Sequence, residues 1–187
     1  MEDKKGIVVP GDFLGTSEEF TPGKGVCDEK GNIYATLTGG VNITDKRVIE
    51  VLPKVKTPPT LKEGDVVIGR IEDIRDTIAM VNIACLKGRE DREIAASTQG
   101  AIHISNVKSG YVDELQHEFG YLDLVKARVI DARSLRLTTE GKELGVIKAI
   151  CSKCKGNLRI KGNTLACERC KRVEVRKISE DYGKGLI

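Results

Sequence analysis

The sequence predicts a mainly β chain of three small domains: an N-terminal β domain over residues 1–58, a five-stranded barrel over 59–146 and a C-terminal ribbon over 147–187. Three observations predict it. Short apolar runs of strand length recur along the chain, separated by turn residues. A break reading PKVKTPPT, residues 53–60, carries three prolines in eight residues and can continue neither a helix nor a central strand. Near the end, Cys151, Cys154, Cys167 and Cys170 form two Cys-x2-Cys pairs twelve residues apart, in a chain with six cysteines.

In the first domain, GVCDEKGNIYATL places apolar runs on either side of Asp28–Asn32, which predicts a hairpin with Gly31 at positive φ. A second turn is expected at Gly39-Gly40, followed by the strands VNI and VIEVL. The proline-rich break then serves as a linker. In the second domain, Val66, Ile68, Ile71 and Ile74 precede a turn near Arg75–Thr77, and Ile78, Met80 and Val81 begin the return strand. The polar run from Lys87 to Gln99 reads as an exposed loop. It is followed by the strand GAIHIS, a helical turn in YVDELQHEF, and the strands LVKARVID and SLRLTT. Five strands with one helical excursion between the third and fourth suggest an oligonucleotide-binding (OB) type barrel. In the third domain ELGVIKAIC leads into the first cysteine pair, and NLRI, NTLAC and RVEVRKI form short strands around the second.

Four thiolates surround Zn(II) tetrahedrally, and a Cys-x2-Cys turn lets two sulfurs converge from one tight loop. Disulfides or a redox centre are the competing readings. A redox motif calls for a single Cys-x2-Cys at a helix start beside a βαβ unit, whereas two pairs lie here in strand-rich sequence. The N-terminus lacks an apolar signal segment and no run approaches the roughly 18 apolar residues of a membrane helix. The expected compartment is therefore the cytoplasm, where paired thiols stay reduced and more often hold metal. One structural zinc with no open coordination position is the expected cofactor, its binding energy serving as folding energy. Cys27 and Cys85, in apolar strand contexts, are expected to be buried and inert.

The net charge of +3 divides unevenly, into −1 for residues 1–58, −2 for 59–150 and +6 for 151–187. Four thiolates with Zn(II) lower the tail to about +4. Lys153, Lys155, Arg159, Lys161, Arg169, Lys171 and Arg172 still surround the site, either as a solvated surface or as a contact for nucleic acid or acidic protein. Catalysis finds little support. His103 and His117 lie in no nucleophile motif, no phosphate-cradling GxxxxGK[ST] loop is present, and the acidic pairs Glu72-Asp73 and Asp113-Glu114 are adjacent rather than spaced for a shared metal. A binding or assembly role is the expectation, with no enzymatic activity.

GDVVIGRIEDI, GAIHIS, LVKARVID and LRLTT resemble the RNA-binding repeat of ribosomal protein S-one. Preceded by VVPGDFLGTSEEFTPGKGVCDEKGNIYATLTGGV, in which VPGD, TPGKGV and GNIYAT are the most telling, and followed by a four-cysteine ribbon, that repeat is similar to the archaeal Csl-four family of exosome cap subunits. The resemblance covers nearly the whole chain and fits least well from Lys87 to Gln99.

It implies a non-catalytic subunit that sits with other cap subunits on a ring of RNase-PH-like subunits, docking through its N-terminal domain. There it helps recruit single-stranded RNA for 3′-to-5′ degradation or tailing, with a DnaG-type primase-like protein as a further partner. It also implies an RNA face on the barrel, for which Lys62, Arg70, His103, Arg128, Arg133 and Arg136 are the candidates. Aromatic positions usual in such barrels fall near Met80 and at Ala101, and a usual arginine position reads Ser134, with Arg133 and Arg136 nearby, so stacking worth about 1–3 kcal/mol per base is largely missing. Weak, salt-sensitive binding by the isolated barrel is expected, and a satisfied structural histidine is the alternative reading of His103. A free-standing single-stranded RNA-binding protein of translation or ribosomes would use the same barrel and ribbon.

Overall fold

The computed structural model describes residues 6–55, 58–95 and 98–185. The chain divides into two compact units, Met1–Thr57 and Pro58–Ile187. Among the described residues no helix is long and apolar enough to cross a membrane.

The first unit holds β1 (Ile7–Val8), β2 (Phe13–Thr16), β3 (Thr21–Pro22), β4 (Val26–Glu29), β5 (Asn32–Ala35), β6 (Gly39–Ile43) and β7 (Val48–Pro53). They form a four-stranded sheet in the order β1-β6-β7-β3 and a three-stranded sheet in the order β2-β5-β4. Ile33, Ala35, Ile49 and Val51 are buried in this unit. The β4–β5 hairpin turns as expected, with positive φ at both Lys30 (53°) and Gly31 (85°), and Asp28 Oδ1 accepts the Gly31 N–H at 2.9 Å. That is the turn whose twist matches antiparallel strands.

Three expectations fail here. Gly39 and Gly40 make no turn; they lie in β6, paired with β7 on one side and β1 on the other. A Cβ at Gly39 would run into the Leu52 carbonyl, so glycine serves a close strand approach. Cys27 is exposed because β4 is an edge strand, with three of its four residues open to solvent. Cys85 is buried as expected, and burial pushes its thiol up. The linker reading extends too far at both ends: β7 runs to Pro53, and the buried Pro59 accepts the Ala95 N–H at 3.1 Å, while Lys56 and Thr57 fall outside the described residues.

The second unit opens with β8 (Val66–Ile74), β9 (Ile78–Leu86), β10 (Gln99–His103), the short helix α1 (Leu115–Glu118), β11 (Leu124–Asp131) and β12 (Arg136–Thr138). Their order is β12-β10-β9-β8-β11, and β12 pairs with β11 as well, closing the expected five-stranded barrel. Strand alternation sends Val67, Ile71, Val81, Ile83, Ile102, Val125, Val129 and Leu137 inward, and α1 adds Leu115 and Phe119 to the same core. The segment expected only to lead into the first cysteine pair forms a sixth strand, β13 (Gly145–Lys148), on β11.

The ribbon follows with β14 (Leu158–Lys161), β15 (Thr164–Cys167) and β16 (Val173–Glu174), antiparallel in that order. Its buried Cys151, Leu158, Leu165 and Cys167, with Tyr182, belong to one contiguous core with the barrel. Tyr182 OH donates to the Leu158 carbonyl at 2.8 Å and accepts the Ala149 N–H at 3.2 Å.

The segment after β16 returns to the barrel, where Asp181 pairs with Lys126, a lysine buried on β11. Lys126 holds the Asp181 carboxyl below its usual range. A carboxyl depressed in the folded state contributes stability that is fully present above its unfolded value of about 4 and is lost as pH falls through the folded value. Asp181→Asn is therefore expected to lower the melting temperature at pH 7, with the deficit shrinking toward zero as thermal scans move below pH 4. A deficit that persists unchanged in acid would assign the loss to packing rather than charge.

Candidate metal centre and nucleic-acid face

The two cysteine pairs fold as repeats of one local geometry. In the first, the Lys155 N–H donates to the Cys151 carbonyl (3.0 Å) and the Cys151 N–H to the Gly156 carbonyl (2.8 Å). In the second, the Lys171 N–H donates to the Cys167 carbonyl (3.1 Å) and the Cys167 N–H to the Arg172 carbonyl (2.8 Å). Lys155 (φ 56°) and Lys171 (φ 61°) both take the left-handed conformation that closes each turn.

The four Sγ atoms lie within 4.8 Å of one another, with Cys151–Cys170 at 3.6 Å and Cys154–Cys167 at 3.4 Å. Metal–sulfur bonds of about 2.3 Å in a tetrahedron imply sulfurs about 3.8 Å apart. The spacing fits one ion. The Cys170 N–H favours the Cys167 thiolate and holds it near 6. At Cys151 the Cys154 N–H acts the same way, but burial and the neighbouring sulfurs push it up to about 11. The first thiolate forms readily and the last is costly, a conflict that a central cation resolves.

Sequence reasoning missed the support behind this cluster. Ser152, inside the first knuckle, donates to Glu174 Oε1 through N–H (2.9 Å) and Oγ (2.8 Å). Glu174 Oε2 accepts from Arg176 (2.6 Å), whose Nε donates to Asp123 Oδ2 (2.7 Å) just before β11. Glu174, Arg176 and Asp123 are buried, and only Ser152, at the knuckle end, is exposed. Burial pushes the Asp123 carboxyl up against the opposing pull of Arg176. Burial also opposes the Glu174 charge, but Ser152 and Arg176 prevail and hold that carboxyl low. Charged residues at alternating strand positions were the available signal, and they read equally well as solvated surface.

On the barrel exterior, Met80 pairs with Ala101, which pairs with Arg136. His103 stands two residues along β10, and Arg70 pairs with Asn82 beside Met80 on β9. Arg70, His103 and Arg136 thus share one outward face, on which Met80 and Ala101 occupy the centre. Arg70 is tied to Glu72 (3.3 Å), itself bonded to Asn82 (2.8 Å). The Ser105 N–H donates to His103 Nδ1 (3.3 Å), capping a short 3-10 turn, so a neutral ring keeps its proton on Nε2, a donor on an exposed side chain. Arg128 lies beyond β12, opposite Thr138, and pairs with Glu143 (3.0 Å). Lys62 and Arg133 sit on loops at the barrel end where the Gly64 N–H meets the Val129 carbonyl, off the strands that carry the other three.

Two family models match the chain: the "Exosome complex exonuclease RRP4 N-terminal region" over residues 7–44 and the "Exosome component EXOSC1/CSL4" model over residues 59–149. The chain is 43% identical over 179 residues to the exosome complex component Csl4 of Archaeoglobus fulgidus, covering 96% of this chain and 98% of that one. The mouse component CSL4 is 26% identical over 91% of both chains. The component Rrp4 of Methanobrevibacter smithii is 29% identical over 76% of this chain but only 44% of its own length. Near full-length identity of 43%, with both family models falling on the barrel and the N-terminal β unit, means that the chain belongs to the Csl4 (Csl-four) family of exosome components.

Proposed function

We propose that this chain is a non-catalytic RNA-binding cap component of an archaeal exosome, helping to recruit RNA for 3′-to-5′ degradation or tailing by an RNase-PH-like ring in the cytoplasm. The near full-length similarity to the Archaeoglobus Csl4 carries this reading. Residues 1–58 dock on the ring, 59–146 offer the barrel to single-stranded RNA, and 147–187 form the ribbon. Its ion is one structural Zn(II), held by Cys151, Cys154, Cys167 and Cys170, since an all-thiolate set suits zinc and leaves no position for substrate. Other cap subunits and a DnaG-type primase-like protein complete the set of partners. RNA contacts fall first on Arg70, His103 and Arg136, which share a face, and less on Lys62, Arg128 and Arg133, which do not.

Docking through the first unit finds support in its exposed apolar side chains. Ile7, Gly40 and Leu52 form one cross-strand row, with Ile7 59% and Leu52 53% exposed and open space above Gly40. A flat apolar row of this kind suits a protein interface. In size-exclusion chromatography with a purified archaeal RNase-PH-like hexamer, the metal-loaded chain is expected to co-elute. Deletion of residues 1–58, or Ile7→Asp with Leu52→Asp, is expected to abolish co-elution. Failure of the parent to co-elute would favour a free-standing RNA-binding protein.

A further inference from the structure

We propose that the cleft between the 115–121 segment and β16 of the ribbon binds one or two nucleotides of single-stranded RNA, with a base stacked on Tyr121. The cleft is open to solvent and has a volume of about 640 Å³, within the range of about 300–1,000 Å³ typical of small-ligand sites. His117 and Tyr121 form one wall, and Arg172, Val173 and Val175 the other. The proposal rests on the RNA-binding reading above and adds a site that the barrel face does not contain.

At the centre of the barrel face stand Met80 and Ala101 rather than a Phe, Tyr or Trp ring. Among the described residues of the second unit, Tyr111 and Tyr121 are the exposed aromatics, and Tyr121, 58% exposed, lines the cleft. Its placement is built rather than incidental. Tyr121 stands at the corner of a tight turn in which the Asp123 N–H donates to the Gly120 carbonyl (3.1 Å) and the Gly120 N–H to Asp123 Oδ2 (2.7 Å). Leu122 is held at φ 68°, a conformation that costs a leucine backbone energy, while its N–H donates to the Ile71 carbonyl (2.9 Å). A Cβ at Gly120 would collide with the Arg176 guanidinium. The turn is thus bolted to the ribbon through Asp123 and Arg176, and it offers a rigid ring to the cleft.

Charge selects the occupant. Glu174 and Arg176 on the floor are committed to each other, and Asp73 at the edge is paired with Arg75 (3.0 Å). Arg172 is 55% exposed and lies 3.9 Å from Glu174, a loose contact that leaves it able to meet a phosphate, with Lys171 adjacent in the chain and Arg169 three residues before it. Asp73 is also the cross-strand partner of Met80. The cleft therefore begins where the outward barrel face ends, and one RNA strand can run from Arg136 and His103 across Met80 to Tyr121. A peptide adding to β16 would find an edge only two residues long.

The test is fluorescence anisotropy of a fluorescein-labelled oligoadenylate of about twelve nucleotides, at low salt, with the full-length metal-loaded chain. Tyr121→Ala is expected to weaken binding roughly 5- to 150-fold, the range of one lost stacked base. Tyr121→Phe should stay within about twofold of the parent, and Tyr111→Ala should match it. Arg172→Ala should weaken binding and flatten the log–log salt dependence by about 0.7, one phosphate contact on a single strand. Parental affinity in Tyr121→Ala, alongside weakened binding in His103→Ala/Arg136→Ala, would overturn the cleft and leave the barrel face standing. No RNA binding by the parent would overturn both. Competition by a polyglutamate peptide that Tyr121→Ala abolishes, without any effect of that variant on RNA, would reassign the cleft to a protein partner.

Discussion

Stripping the ion from Cys151, Cys154, Cys167 and Cys170 with a strong chelator is expected to unfold the ribbon and to loosen the barrel with it. Apparent binding free energies of structural zinc run to about 10–16 kcal/mol, as large as the whole stability of a typical domain at about 5–15 kcal/mol. The loss spreads because Cys151, Leu158, Leu165 and Cys167 are part of the barrel's own core, and because Tyr182 bridges Ala149 and Leu158. Hydrogen exchange should show β11 and β13 losing protection along with β14–β16, and re-addition of zinc should restore both. Cys154→Ser should reproduce the chelated state. Full protection of β11 and β13 after chelation would mean that ribbon and barrel fold separately.

Arg176→Ala is expected to cost about 3–5 kcal/mol, the penalty for leaving buried charge unpaired. Asp123 is fully buried and Arg176 nearly so, and the variant strands Asp123 and Glu174 together. The sign with pH follows from Asp123. Its carboxyl is already pushed up by burial, with Arg176 opposing, so removing Arg176 raises it further. A group raised in the folded state binds its proton more tightly there, and stability falls as pH rises through the folded value. Urea titrations should therefore show the deficit of the variant growing from pH 4 toward neutral. Replacing Asp123 and Arg176 together by apolar residues of similar volume should recover much of the loss. An Arg176→Ala deficit under about 1 kcal/mol at pH 7 would contradict the buried-pair account.

Much of the fold was legible because its signals are local. Alternation in Val66–Ile74 and Ile78–Leu86 marks strands whichever neighbours they find. Asp28 to Asn32 closes a hairpin by turn chemistry alone. The ambiguous signals misled. Gly39-Gly40 fits a turn or a close strand contact equally well, and only the approach of Leu52 distinguishes them. Gly145–Lys148 has no alternation to mark it as a strand, since Gly145, Val146 and Ile147 are all buried, between barrel and tail.

The sequence by itself determined the four-cysteine cluster, the strand-rich class, the five-stranded barrel and the family resemblance, because thiol spacing, strand period and motif order are properties of the chain read in one direction. Only the tertiary structure decided which cations share the face with Met80 and Ala101, that Arg176 ties the knuckle to Asp123, and that Tyr121 stands over a cleft beside Arg172. Those relations depend on strand register and on the ribbon folding back onto the barrel. Both are set by burying one shared core, which no local stretch of sequence specifies.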